Sequence, residues 1–223
     1  MMKTSYFTIL TRAIKQEWLL WISIAFGFLV LYYAGLLLAA MVRFNEIPNY
    51  IEVYDIVEVY KQILVGTPAL SDAIPILLDE AWFETGYKNP DYYGVATWSY
   101  MLIPPKMLLV LFAALLISTF VVLVTYSRKH SCSIKNNKKL YTMAGVGTGL
   151  VGLTSATLSW VVCCAAPSWV VGLAMLGLSS TIALWLEPFG KLLSVVGIAL
   201  VIGIIFVQLK NIRNNTLEHM AAE

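Results

Sequence analysis

Apolar residues occur in long uninterrupted runs along this chain rather than at alternating positions. The runs cover residues 18–41, 102–126, 141–186 and 192–209. A helix needs about 20 apolar residues to cross the hydrocarbon core of a bilayer, so every run but the third predicts one span. The third is too long for a single span. The pattern predicts an all-α integral membrane protein with a bundle of four transmembrane helices, or five if residues 141–186 form two.

The segment between the first two runs, residues 43–104, is polar and rich in aromatic residues. Residues 50–64, "YIEVYDIVEVYKQIL", show helical periodicity, and residues 68–84, "PALSDAIPILLDEAWFE", form a second short amphipathic segment. Residues 86–94, "GYKNPDYYG", contain several turn-forming residues. We expect two interfacial helices and a turn-rich tail, which together make a short extracytoplasmic helical cap at the membrane surface.

Composition and charge support a membrane location and predict its orientation. Hydrophobic residues make up 59% of the chain and charged residues 13%, and the mean hydropathy is +0.76. Basic residues cluster before the first run and after the second, whereas residues 43–104 are acidic. Because cytoplasmic loops are enriched in Lys and Arg, we expect a multi-pass protein of the cell membrane with a cytoplasmic N-terminus. Such short juxtamembrane clusters argue against nucleic acid as a partner.

These features predict three regions along the chain. They are an N-terminal transmembrane hairpin at residues 1–126 that holds the extracytoplasmic segment 43–104, a basic cytoplasmic loop at residues 127–140, and a C-terminal transmembrane region at residues 141–223 that carries two adjacent thiols. The first half of that C-terminal region is rich in small residues. Gly145 and Gly149 form a GxxxG step there, which predicts a close contact between helices.

The adjacent thiols belong to the stretch "VVCCAAPSW", residues 161–169. Proline has no backbone N–H, so in a helix Pro167 would leave the carbonyl of Cys163 without its usual partner. The backbone is therefore loosened in the turn that carries Cys163 and Cys164. Thiolates are soft ligands that select soft ions such as Hg(II) and Cu(I). The pair predicts a soft-metal site, and the alternative is that both cysteines pack as small apolar residues.

The same region resembles the mercuric ion transport proteins of the MerT type. The resemblance rests on "CCAAP", on the "LEP" turn at residues 186–188, and on a following apolar run that ends in basic residues; it covers only the C-terminal half. It implies that Cys163 and Cys164 form an intramembrane pair that receives a metal ion from outside. It also implies structural support from Pro167, with Glu187 and Pro188 in an extracytoplasmic turn.

A third cysteine lies in the basic loop. The resembling family carries a second cysteine pair on a cytoplasmic loop, whereas this loop contains Cys132 alone, two residues after His130. A histidine and basic neighbours favour the thiolate, so His130 and Cys132 are candidates for a metal relay. The alternative is a solvated loop that determines topology and contains an incidental cysteine.

Three function classes follow from these features. The first is a membrane protein that binds or transports a soft metal ion such as mercury or copper. The second is a non-catalytic accessory or assembly subunit that contacts other membrane subunits through residues 43–104. The third is a membrane thiol redox protein, although no C-x-x-C motif is present. The sequence also has no phosphate loop or helical His/Glu metal motif, which argues against hydrolytic and phosphoryl-transfer enzymes.

Overall fold

The computed structural model describes residues 6–92, 95–130, 146–148, 151, 158–160 and 189–222. Most of the structure is helical. The described helices are α1 (Tyr6–Gln16), α2 (Trp18–Phe44), α3 (Ile56–Gly66), α4 (Leu70–Asp79), α5 (Pro104–His130) and α6 (Gly190–Ala222). The strands are β1 (Tyr50–Val53), β2 (Phe83–Asn89), β3 (Val95–Leu102) and β4 (Leu158–Trp160).

Three of the helices contain stretches that are long and apolar enough to cross a membrane. These stretches are Trp18–Phe44 in α2, Pro104–Ser127 in α5 and Leu192–Arg213 in α6. The predicted helices of spanning length are therefore confirmed in these three places.

Their ends also follow local rules. Asn45 follows the last residue of α2 and has a left-handed φ of 54°, a conformation that commonly ends a helix. Helix α5 begins at Pro104. Proline is tolerated there because the amides of the first helical turn make no bond within the helix.

The chain forms two compact units, which draw on separate ranges of sequence. Unit 1 contains Met1–Leu31, Leu111–Gly152 and Leu192–Glu223, and unit 2 contains Tyr32–Val110 and Leu153–Lys191. Helices α2 and α5 each contribute residues to both units.

Unit 1 is a helical bundle with an aliphatic core. Its largest described cluster of buried residues contains Ala13 from α1, Phe120, Val122, Leu123 and Val124 from α5, and Val201, Ile204, Ile205, Leu209 and Ile212 from α6. Two hydrogen bonds connect α2 with α5: the indole of Trp21 donates to Thr119 Oγ1 at 3.1 Å, and the hydroxyl of Ser118 donates to the carbonyl of Trp21. Apolar packing supplemented by a few polar contacts is typical of helices that associate in lipid.

Unit 2 is built on a four-stranded antiparallel sheet in the order β1-β2-β3-β4. One face of the sheet, here called the apolar face, contains Trp98, Tyr100 and Leu102, and these residues pack against the last three turns of α2. The opposite, polar face carries Glu52, Glu84 and Lys88. Helices α3 and α4 connect β1 to β2.

The sheet corrects the prediction of an all-α protein. Residues 50–53 are a strand rather than the first turn of a helix, and the expected turn-rich tail is a β-hairpin whose turn lies at Pro90–Tyr92. The two short helices are present as α3 and α4, so that part of the prediction is confirmed. Asp55 caps α3 by accepting hydrogen bonds from the amides of Val57 and Glu58. The helix begins there because the capping carboxylate satisfies its first free amides.

The predicted fourth and fifth spans fall on residues 141–186, and most of these lie outside the described residues. Residues 146–148 and 151 are helical. Leu158–Trp160 is the strand β4, which pairs antiparallel with β3 in the register Trp98↔Trp160 and Tyr100↔Leu158. The chain is therefore extended, not helical, immediately before the stretch that carries the adjacent thiols.

Candidate functional site

The predicted metal-site residues lie almost entirely outside the described residues. These residues are Cys132, Cys163, Cys164, Pro167, Glu187 and Pro188. His130 is the last residue of α5. Within the described ranges, no group of three or more His, Cys, Asp or Glu side chains could hold a metal ion. The thiol pair therefore stays a prediction from sequence.

The structure does describe the chain that leads into the thiol pair. Trp160 ends β4 and pairs with Trp98 on β3. Cys163 follows Trp160 by three residues, so the covalent chain alone limits the separation of their Cα atoms to about 11 Å. The approach to the thiols is thus tied to the sheet of unit 2 by main-chain pairing.

A close helix contact also precedes the thiols. A Cβ atom added to Gly147 would meet the carbonyl oxygen of Gly197 and a methyl group of Val201, both on α6, at 2.9 Å. Only glycine allows this approach. The small-residue run therefore makes a close helix contact at Gly147. The glycines named for it, Gly145 and Gly149, lie outside the described residues.

The polar face of the sheet carries a carboxylate shared by two tyrosines. Tyr50 donates a hydrogen bond to Oε1 of Glu84 at 2.7 Å, and Tyr54 donates to Oε2 at 2.6 Å. Lys88 forms an ion pair with Glu52, and its Nζ lies 4.2 Å from the ring centroid of Tyr50. We call these five residues the tyrosine–glutamate cluster. Because hydroxyl donors occupy both oxygens of Glu84, the cluster joins β1 to β2 and does not form a metal-ligand set.

The hydrogen bonds and burial within the cluster shift the pKa values of Tyr50, Tyr54 and Glu52. Burial raises the pKa of Tyr50 and Tyr54, and the hydrogen bonds to the charged Glu84 raise it further. The hydrogen bond from Lys88 lowers the pKa of Glu52 below its ordinary value near 4.5. The folded sheet therefore favours neutral tyrosines and an ionised Glu52, which is the arrangement that holds at neutral pH.

The apolar face brings two buried hydrogen-bond donors together on β3. Trp98 Nε1 and the hydroxyl of Tyr100 have no hydrogen-bond partner among the described residues. The ring of Trp98 stacks on that of Phe44, with centroids 6.1 Å apart and planes 11° from parallel. Burial raises the pKa of Tyr100. Ring packing therefore contributes to holding this face against α2.

The tyrosine–glutamate cluster was not identified from sequence, and the signal that was present concerns only the neighbouring strand β3. Trp98, Tyr100 and Leu102 alternate with Ser99 and Met101, and this period of two indicates a strand. That alternation indicates β3 alone and does not show which strands pair with it.

Comparisons with known protein families, with curated proteins and with solved structures gave no match to this chain.

Proposed function

We propose that this chain is a multi-pass cell-membrane protein that binds or moves a soft metal ion, Hg(II) or Cu(I), through Cys163 and Cys164. Two adjacent thiolates supply the ligands that such ions prefer. Pro167 keeps the backbone of the same turn open, because it cannot donate the hydrogen bond that would close a helix. The resemblance to mercuric ion transport proteins, on the "CCAAP" and "LEP" motifs, supports the same proposal.

The observation that carries the proposal is the pairing of β4 with β3. Strand β3 ends at Leu102, and α5 begins at Pro104. Strand β4 therefore lies on the side of the membrane where α5 starts, and the thiol pair follows β4 within a few residues. Under the proposed topology this is the extracytoplasmic side, where an incoming metal ion first meets the protein.

The proposed topology rests on charge. The basic residues before α2 and after α5 put the N-terminus and residues 127–140 in the cytoplasm, and the acidic segment 43–104 outside. An impermeant thiol reagent applied to intact cells should therefore not label Cys132. Efficient labelling of Cys132 from outside would invert this topology.

A competition titration tests the metal site. Purified wild-type protein in detergent is titrated with Hg(II) or Cu(I) in the presence of excess monothiol, which removes the ion from isolated cysteines. We expect wild type to retain one ion, the double variant Cys163→Ser/Cys164→Ser to retain none, and Pro167→Ala to lose affinity to an extent comparable with the loss of one thiol.

Cys132→Ser is the matched control because it removes a thiol without touching the pair. It should retain the ion as wild type does. Equal stoichiometry and affinity in wild type, the double variant and Pro167→Ala would show that Cys163 and Cys164 are ordinary packing residues, and the proposal would then be wrong. A loss of retention in Cys132→Ser alone would move the site to the basic loop.

A second candidate function, an accessory subunit of a larger membrane complex, is favoured by the edge strand β1. Ile51 and Val53 are 69% and 76% exposed on this strand, and its outer edge pairs with no other strand among the described residues. An exposed apolar edge is a template for pairing with another chain.

Migration in mild detergent tests this alternative. If β1 docks a partner subunit, Val53→Lys should release the partner, because the lysine disfavours strand addition at the edge. Val65→Lys, on the exposed side of α3, introduces the same charge away from the edge and should leave the complex intact. Migration of the wild-type chain alone would rule out the accessory role.

A further inference from the structure

Helices α3 and α4 expose apolar stripes that the sheet does not cover. On α4 the residues Leu70, Ile74 and Leu78 recur every fourth position, so they form one stripe along the helix. Their side chains are 71%, 53% and 52% exposed. On α3 the residues Val57 and Leu64, two turns apart, are also exposed.

On α4 the stripe borders the buried side of the helix. The half-buried Leu77 and then Ala73, the only buried residue of α4, follow Leu70 on one side of the helical wheel, whereas Ser71, Asp72 and Asp79 occupy the arc beyond Leu78. This order, from a packed side through an exposed apolar arc to a polar arc, is typical of a helix lying in the plane of a membrane interface.

Contacts within unit 2 connect these helices to the beginning of the membrane-spanning helix α5. The amide of Trp82 donates to the carbonyl of Leu102 at 2.9 Å, and Leu102 lies two residues before α5. The indole of Trp82 donates to the hydroxyl of Tyr60 on α3 at 3.3 Å. Asp79, the last residue of α4, interacts electrostatically with Lys106 in the first turn of α5. The end of α4 therefore lies where the spanning segment Pro104–Ser127 begins.

We propose that the hairpin formed by α3 and α4 inserts its apolar stripes into the bilayer interface, next to the extracytoplasmic end of α5. Trp82 is exposed beside the hairpin, and tryptophan is enriched at this depth of membranes. All of these contacts lie within unit 2, so the insertion does not depend on the metal site.

The charge of the hairpin defines the kind of lipid contact. Around the stripes lie Glu58, Asp72 and Asp79, with Lys61 as the one basic residue of α3 and α4. Attraction to anionic headgroups therefore contributes nothing to insertion, which depends on burial of apolar area. We expect the contact to form in purely zwitterionic phosphatidylcholine and to be insensitive to salt.

Site-specific photocrosslinking in vesicles tests this insertion. The full chain, with benzoylphenylalanine at position 74 or 64, is reconstituted into phosphatidylcholine vesicles and irradiated. Both positions are exposed, so the probe displaces no core contact. We expect several-fold more lipid adduct from Ile74 and Leu64 than from the polar control positions, Asp72 on α4 and Gln62 on α3, which lie away from the stripes on their helices.

The products distinguish the occupants of this surface. Adducts with phospholipid at positions 74 and 64, unchanged by high salt, support insertion. Crosslinks to a second copy of the chain would show instead that the stripes form a protein interface. Equal lipid labelling at the apolar and polar positions would overturn the proposal. Loss of metal retention at Cys163 and Cys164 would leave all of these results unchanged.

Discussion

The bundle of unit 1 and the sheet of unit 2 are stabilised by different kinds of contact. The bundle buries aliphatic side chains, such as Leu123 and Ile204, between helices whose backbone bonds are already satisfied within each helix. The sheet depends on contacts between strands distant in sequence, and it combines an aromatic face with a polar face. Single substitutions should therefore be more disruptive in the sheet. There, one buried side chain or one close contact between two strands affects the pairing of several strands.

The two units also differ in how polar groups are used. In the bundle, the Trp21 indole donates to Thr119 and the Ser118 hydroxyl donates to the Trp21 carbonyl, so each polar group makes a single bond between α2 and α5. In unit 2, the carboxylate of Glu84 and its two tyrosines form a connected network across β1 and β2. A network couples its members, whereas isolated bonds contribute nearly independently.

Removing Trp98 should have the largest effect. Its side chain is 1% exposed and stacks on Phe44, so Trp98→Ala should destabilise unit 2 by about 3–5 kcal/mol. Hydrogen exchange of the β2 and β3 amides in detergent measures this as faster opening, with little change in α6. Trp82→Ala removes an exposed tryptophan and is the control. Equal losses in both variants would contradict the assignment of Trp98 to the core.

Filling the space at Gly86 should have the next largest effect. A Cβ atom there would lie 2.2 Å from the carbonyl oxygen of Trp98, so β2 and β3 would have to separate. Gly86→Ala should destabilise the sheet by about 1–3 kcal/mol, measured by thermal unfolding and by the same amide exchange. Gly66→Ala, at a position with open space, is the matched control, and a similar loss there would rule out the steric explanation.

Cutting one hydrogen bond in the bundle should have a smaller effect. Ser118→Ala removes the bond to the Trp21 carbonyl and should cost about 0.6 kcal/mol, the average for a hydrogen bond between membrane helices. The measurement is the free energy of unfolding in detergent. Thr125→Ala is the control, because its hydroxyl donates within α5 to Val121. A loss as large as that of Trp98→Ala would remove the contrast between the two units.

The ion pair between Glu52 and Lys88 should contribute least, because both side chains are more than one-third exposed. Lys88 lowers the pKa of Glu52, so the stabilisation is present above the unfolded-state value near 4.5 and is lost as pH falls through the folded-state pKa. Glu52→Gln should cost about 0.3 kcal/mol at neutral pH and nothing in acid. A double-mutant cycle with Lys88→Met checks this, since the cost should vanish without the lysine. A pH-independent cost would contradict the mechanism.

The spanning helices could be predicted from sequence, whereas the sheet could not be recognised from the same kind of pattern. A run such as residues 18–41 indicates a span through composition alone, because a bilayer requires a long apolar segment whatever its neighbours. Residues 50–64 contain apolar side chains that fit helical spacing, yet Tyr50–Val53 forms a strand because β2 offers it a partner 30 residues later. That partner cannot be seen within a local window.

The sequence by itself determined that the segments now seen in α2, α5 and α6 are long and apolar enough to cross a membrane, because apolar length acts locally. Only the tertiary structure decided that β4 joins the sheet ahead of Cys163, that Tyr50 and Tyr54 share the carboxylate of Glu84, and that Gly147 lies against α6. These contacts join residues far apart in the chain. They form only when the folded backbone brings the strands and helices within bonding distance.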